Sequence, residues 1–219
     1  MIIMVNGPPN SGKDAVCEYL KTNGYIHKEM KQGLYRETCD HFGVSYEWFM
    51  SGYTRDRKET PEPELRGLTR RQAMIIVSED IIKPTYGDGY FGKLVVEDMK
   101  EDHDFCFSDS GFVSEVDQII NKFGKDEVIF IRLYRDGSNF SNDSRRYIKF
   151  ENLEGTYICG HETDVREHED FFFPDKVNVS GYIVHNNGGI EELYSVITDI
   201  VRTHNGRKNE KQIVQKDNI

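Results

Sequence analysis

The chain has 219 residues, enough for one large domain with a buried core, and a net charge of −10 at pH 7. That charge excludes an overall field that would wrap nucleic acid and leaves room only for a local basic cleft. The longest apolar runs, Met74–Val77 and Val128–Leu133, are too short to span a bilayer, so no membrane contact is expected. The four cysteines (Cys17, Cys39, Cys106, Cys159) form no C-x-x-C pair, which suits a reducing cytoplasm.

Met1 to Val5 is a short apolar run that ends at Asn6-Gly7, the pattern of a buried strand entering a tight loop. A helix is predicted from Gly12 to Thr22, with Val16, Tyr19 and Leu20 on one face and a stop at Asn23-Gly24. Tyr25–Met30 is predicted as a second, short strand, and Gln32–Phe42 and Ser45–Met50 as helices. Arg55–Gly67, rich in charge and carrying Pro61 and Pro63, is predicted as an exposed connection. Thr69 is a candidate N-cap for a helix over 69–82, because Ala73, Met74, Ile76, Val77 and Ile81 recur near helical spacing.

Another helix is predicted over 89–100, then a compact strand over 105–108 closed by Asp109. The next helix shows Val113, Val116, Ile120 and Phe123 on one face and ends near Gly124. Val128–Leu133 is apolar apart from Arg132 and reads as an interior strand that delivers Arg135. The polar stretch 136–147 is predicted as a mobile loop and 150–176 as a small insert or hairpin. Val177–Val184 reads as the last strand and Gly189–Val201 as a helix with Ile190, Leu193, Val196, Ile197 and Ile200 inward. The composition of 204–219 predicts a disordered tail. The alternation of strands and helices predicts one α/β domain over 1–203, a three-layer sandwich around a mostly parallel sheet. Ligands of such sheets lie beyond the carboxyl ends of the strands.

The segment Gly7-Pro8-Pro9-Asn10-Ser11-Gly12-Lys13-Asp14 fits G-x-x-x-x-G-K and makes the predicted sandwich one of the P-loop NTPase type. Glycines let backbone N–H groups converge on phosphate oxygens, the following helix presents its positive end, and Lys13 neutralises the transferring phosphates. Gly7, Asn10, Ser11, Gly12, Lys13, Asp14 and Ala15 are therefore candidates for holding ATP. At position 14 an Asp replaces the usual hydroxyl that binds Mg²⁺; it can hold the metal or one of its waters, but it adds negative charge near the phosphates. Asp109, closing its strand, is the candidate for a second acid on Mg²⁺ or its water shell, with helix capping as the alternative.

Ser11-Gly12-Lys13-Asp14, Arg57-Lys58-Glu59, Leu68 to Ala73, Ser108-Asp109 with Glu115, Arg135 with Gly137, and Asn187-Gly188 before Glu191-Glu192-Leu193 follow one another in an order that resembles the phage-type deoxynucleoside monophosphate kinases. The resemblance runs from about Ile2 to Val201. It implies that Arg57, Lys58, Arg70 and Arg71 bind the acceptor monophosphate, since arginine forks match phosphate geometry. It also implies that Arg135, Arg145 and Arg146 belong to a lid, about 136–147, that closes over the phosphates, and that Asn187 approaches the adenine. One departure stands out: the family carries an arginine two residues after the Asp, whereas this chain reads Asp109-Ser110-Gly111.

The expectation is ATP- and Mg²⁺-dependent phosphotransfer to a deoxynucleoside monophosphate, with Lys13, Asp14, Asp109, Arg135 and Arg145 catalytic, in the cytoplasm of a phage-infected cell. A hydroxymethylated pyrimidine in phage DNA is the alternative acceptor, and Asp14 or Asp109 would then be a candidate base. A nucleotide-binding module acting on a protein partner is a third reading, and a homodimer is the assembly the chain could form.

Overall fold

The computed structural model describes residues 1–54, 57–141 and 143–216, with side chains to residue 207. Arg55, in the predicted connection, and Asn142, in the polar loop, lie outside the described residues. The chain is α/β with a six-stranded parallel sheet, compatible with a three-layer sandwich. Its contacts divide into two compact units, Met1–His27 with Lys100–Val113 and Ile120–Ile219, and Lys28–Met99 with Ser114–Ile119. Among the described residues no helix is long and apolar enough to cross a membrane.

In the first unit, β1 (Ile2–Asn6) lies between β5 (Phe105–Phe107) and β6 (Val128–Tyr134), with β2 (Ile26–Lys28) at one edge and β8 (Phe172–Asn186) and β7 (Tyr147–Cys159) at the other. β1 and β6 are buried along their whole length, as expected of parallel strands covered on both faces. α1 (Lys13–Thr22) and α8 (Ile190–Lys216) bury Val16, Cys17, Leu20, Leu193, Ile197 and Ile200 against Ile3, Val5, Ile129 and Ile131. The parallel register sets Asn6 opposite Arg132, so β6 runs two residues past the end of β1 before its loop begins.

Three expectations change here. The stretch 150–176 is no separate insert, because β7 is the outer strand of the central sheet. It reads polar because an edge strand buries little of itself. The polar loop expected to be mobile is anchored by Phe140, 1% exposed, whose ring meets Tyr147 edge-on at 4.9 Å. The predicted disordered tail from His204 continues α8 as helix to Lys216.

Tyr134, Phe140 and Tyr147 form a small core that also holds two buried histidines. His168 lies 5.4 Å from the Tyr134 ring, and His185 stacks on that ring at 5.6 Å. Burial lowers both imidazole pKa values, against the opposing pull of Glu167, Asp136 and Asp164 on His168 and of Glu162 and Asp136 on His185. The unfolded chain therefore binds more protons than the folded one as pH falls below the ordinary histidine value of about 6.5, and stability falls with it. Urea unfolding should show a lower midpoint at pH 5 than at pH 7. Among the described residues His168 Nδ1 has no hydrogen-bond partner, so His168→Phe should keep or raise stability at pH 7 and flatten that dependence. An unchanged acid dependence in this variant would argue against His168 as a source.

In the second unit, α2 (Gln32–Phe42), α3 (Tyr46–Ser51) and α4 (Arg70–Ile75) pack Tyr35, Cys39, Phe49, Leu65, Ala73 and Met74 together. Ser45 caps α3, and Thr69 caps α4 in a reciprocal box with Gln72. The connection expected over 55–67 is more ordered than a bare loop. β3 (Pro61–Glu62) pairs antiparallel with β4 (Leu68–Thr69), and Leu65 between them is fully buried. The helix predicted over 69–82 is α4 followed by a π-helical stretch, Ile76–Ile82, and then α5 (Lys83–Tyr86). Pro84 explains the widened turn, since it donates no N–H and its ring crowds the carbonyl four residues back. α6 (Tyr90–Glu97) packs beside it, and Gly92 is a close-approach site, where a Cβ would fall 2.7 Å from the Glu115 carbonyl oxygen of α7 (Val113–Phe123).

Candidate functional site

The loop between β1 and α1 is shaped by its own sequence. Asn10 (φ 66°) and Gly12 (φ 106°) take left-handed backbone conformations, and Ser11 N–H donates to Pro8 O at 3.3 Å. Gly12 occupies the N-cap position of α1, where among the described residues no side chain supplies a cap. The first N–H groups of a helix have no partner within it, so this end of α1 offers donors and a partial positive charge to an anion.

Lys13 is 8% exposed and its Nζ donates to Pro8 O at 2.5 Å, folding the ammonium back into the loop. Burial, and next the positive charge of Arg145, lower its pKa to about 8, while Asp14, Asp143 and Asp109 pull it upward. Asp14 is exposed in the first turn of α1, and Asp109 is buried just beyond β5. A cleft of about 490 Å³ opens between residues 10–15 and residues Arg135 to Ser138, so Arg135, exposed at the end of β6, faces the loop across it.

Several predicted residues are used otherwise than expected. Asn187 accepts from Asp136 N–H at 2.9 Å and donates to His161 O and Thr163 Oγ1, both at 3.0 Å, so its amide braces the loop after β6. Arg146 donates to the carbonyls of Asp143 and Arg145. Arg145 forms a fork with Asp143, Nε to Oδ1 at 2.9 Å and Nη2 to Oδ2 at 2.5 Å. In the second unit Arg70 is 1% exposed: its guanidinium lies 4.4 Å from the Trp48 ring, donates to Phe49 O and pairs with Glu62. Exposed Arg57 reaches the mostly buried Glu62 at 3.7 Å, Arg71 pairs with Glu59 at 2.7 Å on the surface, and Lys58 is half-buried between them in sequence.

Two asparagines that the motif does not include hold the loop. Asn186, at the end of β8, donates to Ser11 O at 2.8 Å, and its amide lies where a side chain on Gly12 would begin. Asn6, at the end of β1, binds three backbone groups outside its own strand. Their signal in the sequence is a polar residue closing an apolar strand, which also describes an ordinary turn.

Asp14 and Asp109 offer hard oxygen donors, which suit Mg²⁺. Among the described residues no group of three or more His, Cys, Asp or Glu is gathered into a cage. Mg²⁺ does not need one when phosphate and water supply its other ligands, so the donor set fits a cation that arrives with a nucleotide. The chain matches no protein-family model, and no curated protein is significantly similar to it.

Proposed function

We propose that the chain is an ATP-dependent phosphotransferase of the P-loop kinase type that acts on a nucleotide, a deoxynucleoside monophosphate first. The start of α1 carries this reading: an uncapped helix end, a left-handed Gly12 and an enclosed Lys13 ammonium, facing Arg135 across an open cleft. In this reading Lys13 exchanges the Pro8 carbonyl for phosphate oxygens, and Arg135 and Arg145 add charge as it develops on the transferring group. The bond from Pγ to ADP breaks as a bond to an acceptor phosphate oxygen forms. Because that acceptor is already an anion, no side chain has to remove a proton. Mg²⁺, when bound, neutralises phosphate charge, and Asp14 and Asp109 are the residues that would hold it or its waters.

For the acceptor phosphate the suited residues are Arg57, Lys58 and Arg71. The exposed pair of Arg71 with Glu59 is worth about 0–1 kcal/mol and exchanges readily for phosphate, and Arg57, itself exposed, reaches Glu62 only at 3.7 Å. Arg70 is committed to packing and is left out of the acceptor set.

Labelled ATP with Mg²⁺ against a panel of nucleoside monophosphates and of plain and hydroxymethylated DNA tests the reading. Label in a deoxynucleoside diphosphate is the expected result. Label in DNA would transfer the assignment to a base hydroxyl, turnover without a labelled acceptor would leave only a nucleotide-hydrolysing module, and no turnover would refute the proposal.

Lys13 supplies a second check. With its pKa at about 8, a phosphate that favours the ammonium must draw in protons, and binding should weaken as pH rises through 8. Calorimetry in buffers of different ionisation enthalpy should record uptake of roughly half a proton at pH 8 and almost none at pH 6.5. Equal uptake at both values would show that Lys13 does not titrate with binding.

A further inference from the structure

Asn6 is 1% exposed and joins three segments. Its Nδ2 donates to Ser110 O at 2.7 Å and to Arg146 O at 3.0 Å, and its Oδ1 accepts from Ile148 N–H at 3.0 Å. The carbonyls it grips belong to the immediate neighbours of Gly111 and Arg145. These two residues are themselves in contact. A Cβ built on Gly111 would stand 2.7 Å from Arg145 Cβ and 2.5 Å from its Cγ, and the three nearest atoms are all in the Arg145 stem. The Gly111 backbone is not in the left-handed region, so nothing in its own conformation requires glycine. What requires it is the space that Arg145 fills.

We propose that Asn6 and Gly111 are positioning residues that mount Arg145 at the mouth of the phosphate loop: Asn6 ties its segment to the residue before Gly7, and Gly111 leaves room for its stem. Arg145 then stands as a second fixed cation beside Lys13. The inference rests on the phosphotransferase reading of the loop and adds how its second cation is held.

Two observations support it. Asn6, the residue before Gly7, grips the Arg146 carbonyl at 3.0 Å, so the backbone that carries Arg145 is fixed at the start of the loop. In this structure the counter-ion is Asp143, gripped through Nε and Nη2, and a phosphate offers the same two-oxygen geometry.

The test is a double-mutant cycle on Mg·ATP affinity, read by titration calorimetry, with wild type, Gly111→Ala, Arg145→Ala and the double variant. Arg145→Ala should weaken binding by roughly tenfold to a hundredfold, as expected for lost hydrogen bonds to a charged group. Gly111→Ala should approach that loss, and the double variant should bind no more weakly than Arg145→Ala alone. Asn6→Ala should likewise lose its effect in the Arg145→Ala background.

A purely structural role for Gly111 would weaken binding without changing its dependence on salt. Gly111→Ala and Arg145→Ala should both make Mg·ATP binding less salt-dependent, because each removes a fixed positive charge from beside the phosphates. Additive losses, or an unmoved salt dependence in Gly111→Ala, would overturn the proposal. A loss from Asn6→Ala that persists undiminished without Arg145 would remove Asn6 from the mount. Lys13→Ala separates the two levels: if it binds Mg·ATP like wild type, the reading of the loop fails, whereas if it loses binding while the cycle is additive, only the positioning role fails.

Discussion

In the proposed reaction, Lys13→Ala is expected to slow phosphotransfer from ATP by on the order of a hundredfold or more, while leaving the protein as stable as before or more so. The loss follows from charge. As the bond to ADP breaks, negative charge grows on the bridging and γ-phosphoryl oxygens, and the ammonium of Lys13 is the buried cation of this loop. Water that enters in its place reorients only at a free-energy cost, whereas the ammonium is already placed.

The stability side follows from the depressed pKa. Its value of about 8, against 10.5 for an ordinary lysine, means that the folded state disfavours the ammonium relative to the unfolded chain. Below pH 8 both states are protonated and the folded state bears the whole of that cost. It is relieved as pH rises from 8 towards 10.5, where the unfolded chain still holds the proton. Initial rates of ADP formation and urea midpoints at pH 7 check both halves. Near-normal turnover would remove Lys13 from the mechanism, and a large drop in midpoint would mean that it serves the fold.

What the sequence made legible follows from the range of the interaction involved. Short-range patterns read through well: β1 and β6 as continuous apolar runs, α2 at its observed bounds, and Thr69 as a cap with Gln72 three residues on. The loop Gly7 to Asp14 was legible for the same reason, since a left-handed glycine and a helix start are local facts. What failed to read through depends on distant partners. Asn6-Gly7 looks like a turn, yet the groups that Asn6 binds lie more than a hundred residues away. The loop after β6 looks mobile by composition, but one aromatic, Phe140, anchors it. β7 looks like an insert because polarity measures exposure, and an edge strand is exposed. The π-helical turn before Pro84 breaks the 3.6-residue period that the pattern 69–82 seemed to follow.

Arg70 is the case where the same limit bears on function, and it gives the second large expected effect. Arg70→Ala should destabilise the protein by about 3–5 kcal/mol, the usual cost of removing one partner of a buried ion pair. Glu62, mostly buried, would lose its closest cation, the Phe49 carbonyl would lose a donor, and the space between Trp48, Phe49 and Gly52 would be emptied. Gly52 belongs to this arrangement, since a side chain there would run into the guanidinium.

Arg70→Lys should not rescue it. An ammonium keeps the charge but loses the guanidinium placed over Trp48 and the Nε donor to Phe49, so a substantial drop in urea midpoint is expected for both variants. Measured well below that midpoint, the surviving folded Arg70→Lys protein should keep a nearly wild-type acceptor KM. A phosphate ligand behaves in the opposite way, with an unchanged midpoint and a raised KM. That outcome would return Arg70 to the acceptor site and would require its contacts with Glu62 and Trp48 to open when the acceptor binds. The burial of Arg70 argues against such opening. Exchanging a surface carboxylate for phosphate, as Arg71 can, disturbs little, whereas withdrawing a guanidinium from between Trp48 and Phe49 costs much of what an incoming phosphate would contribute.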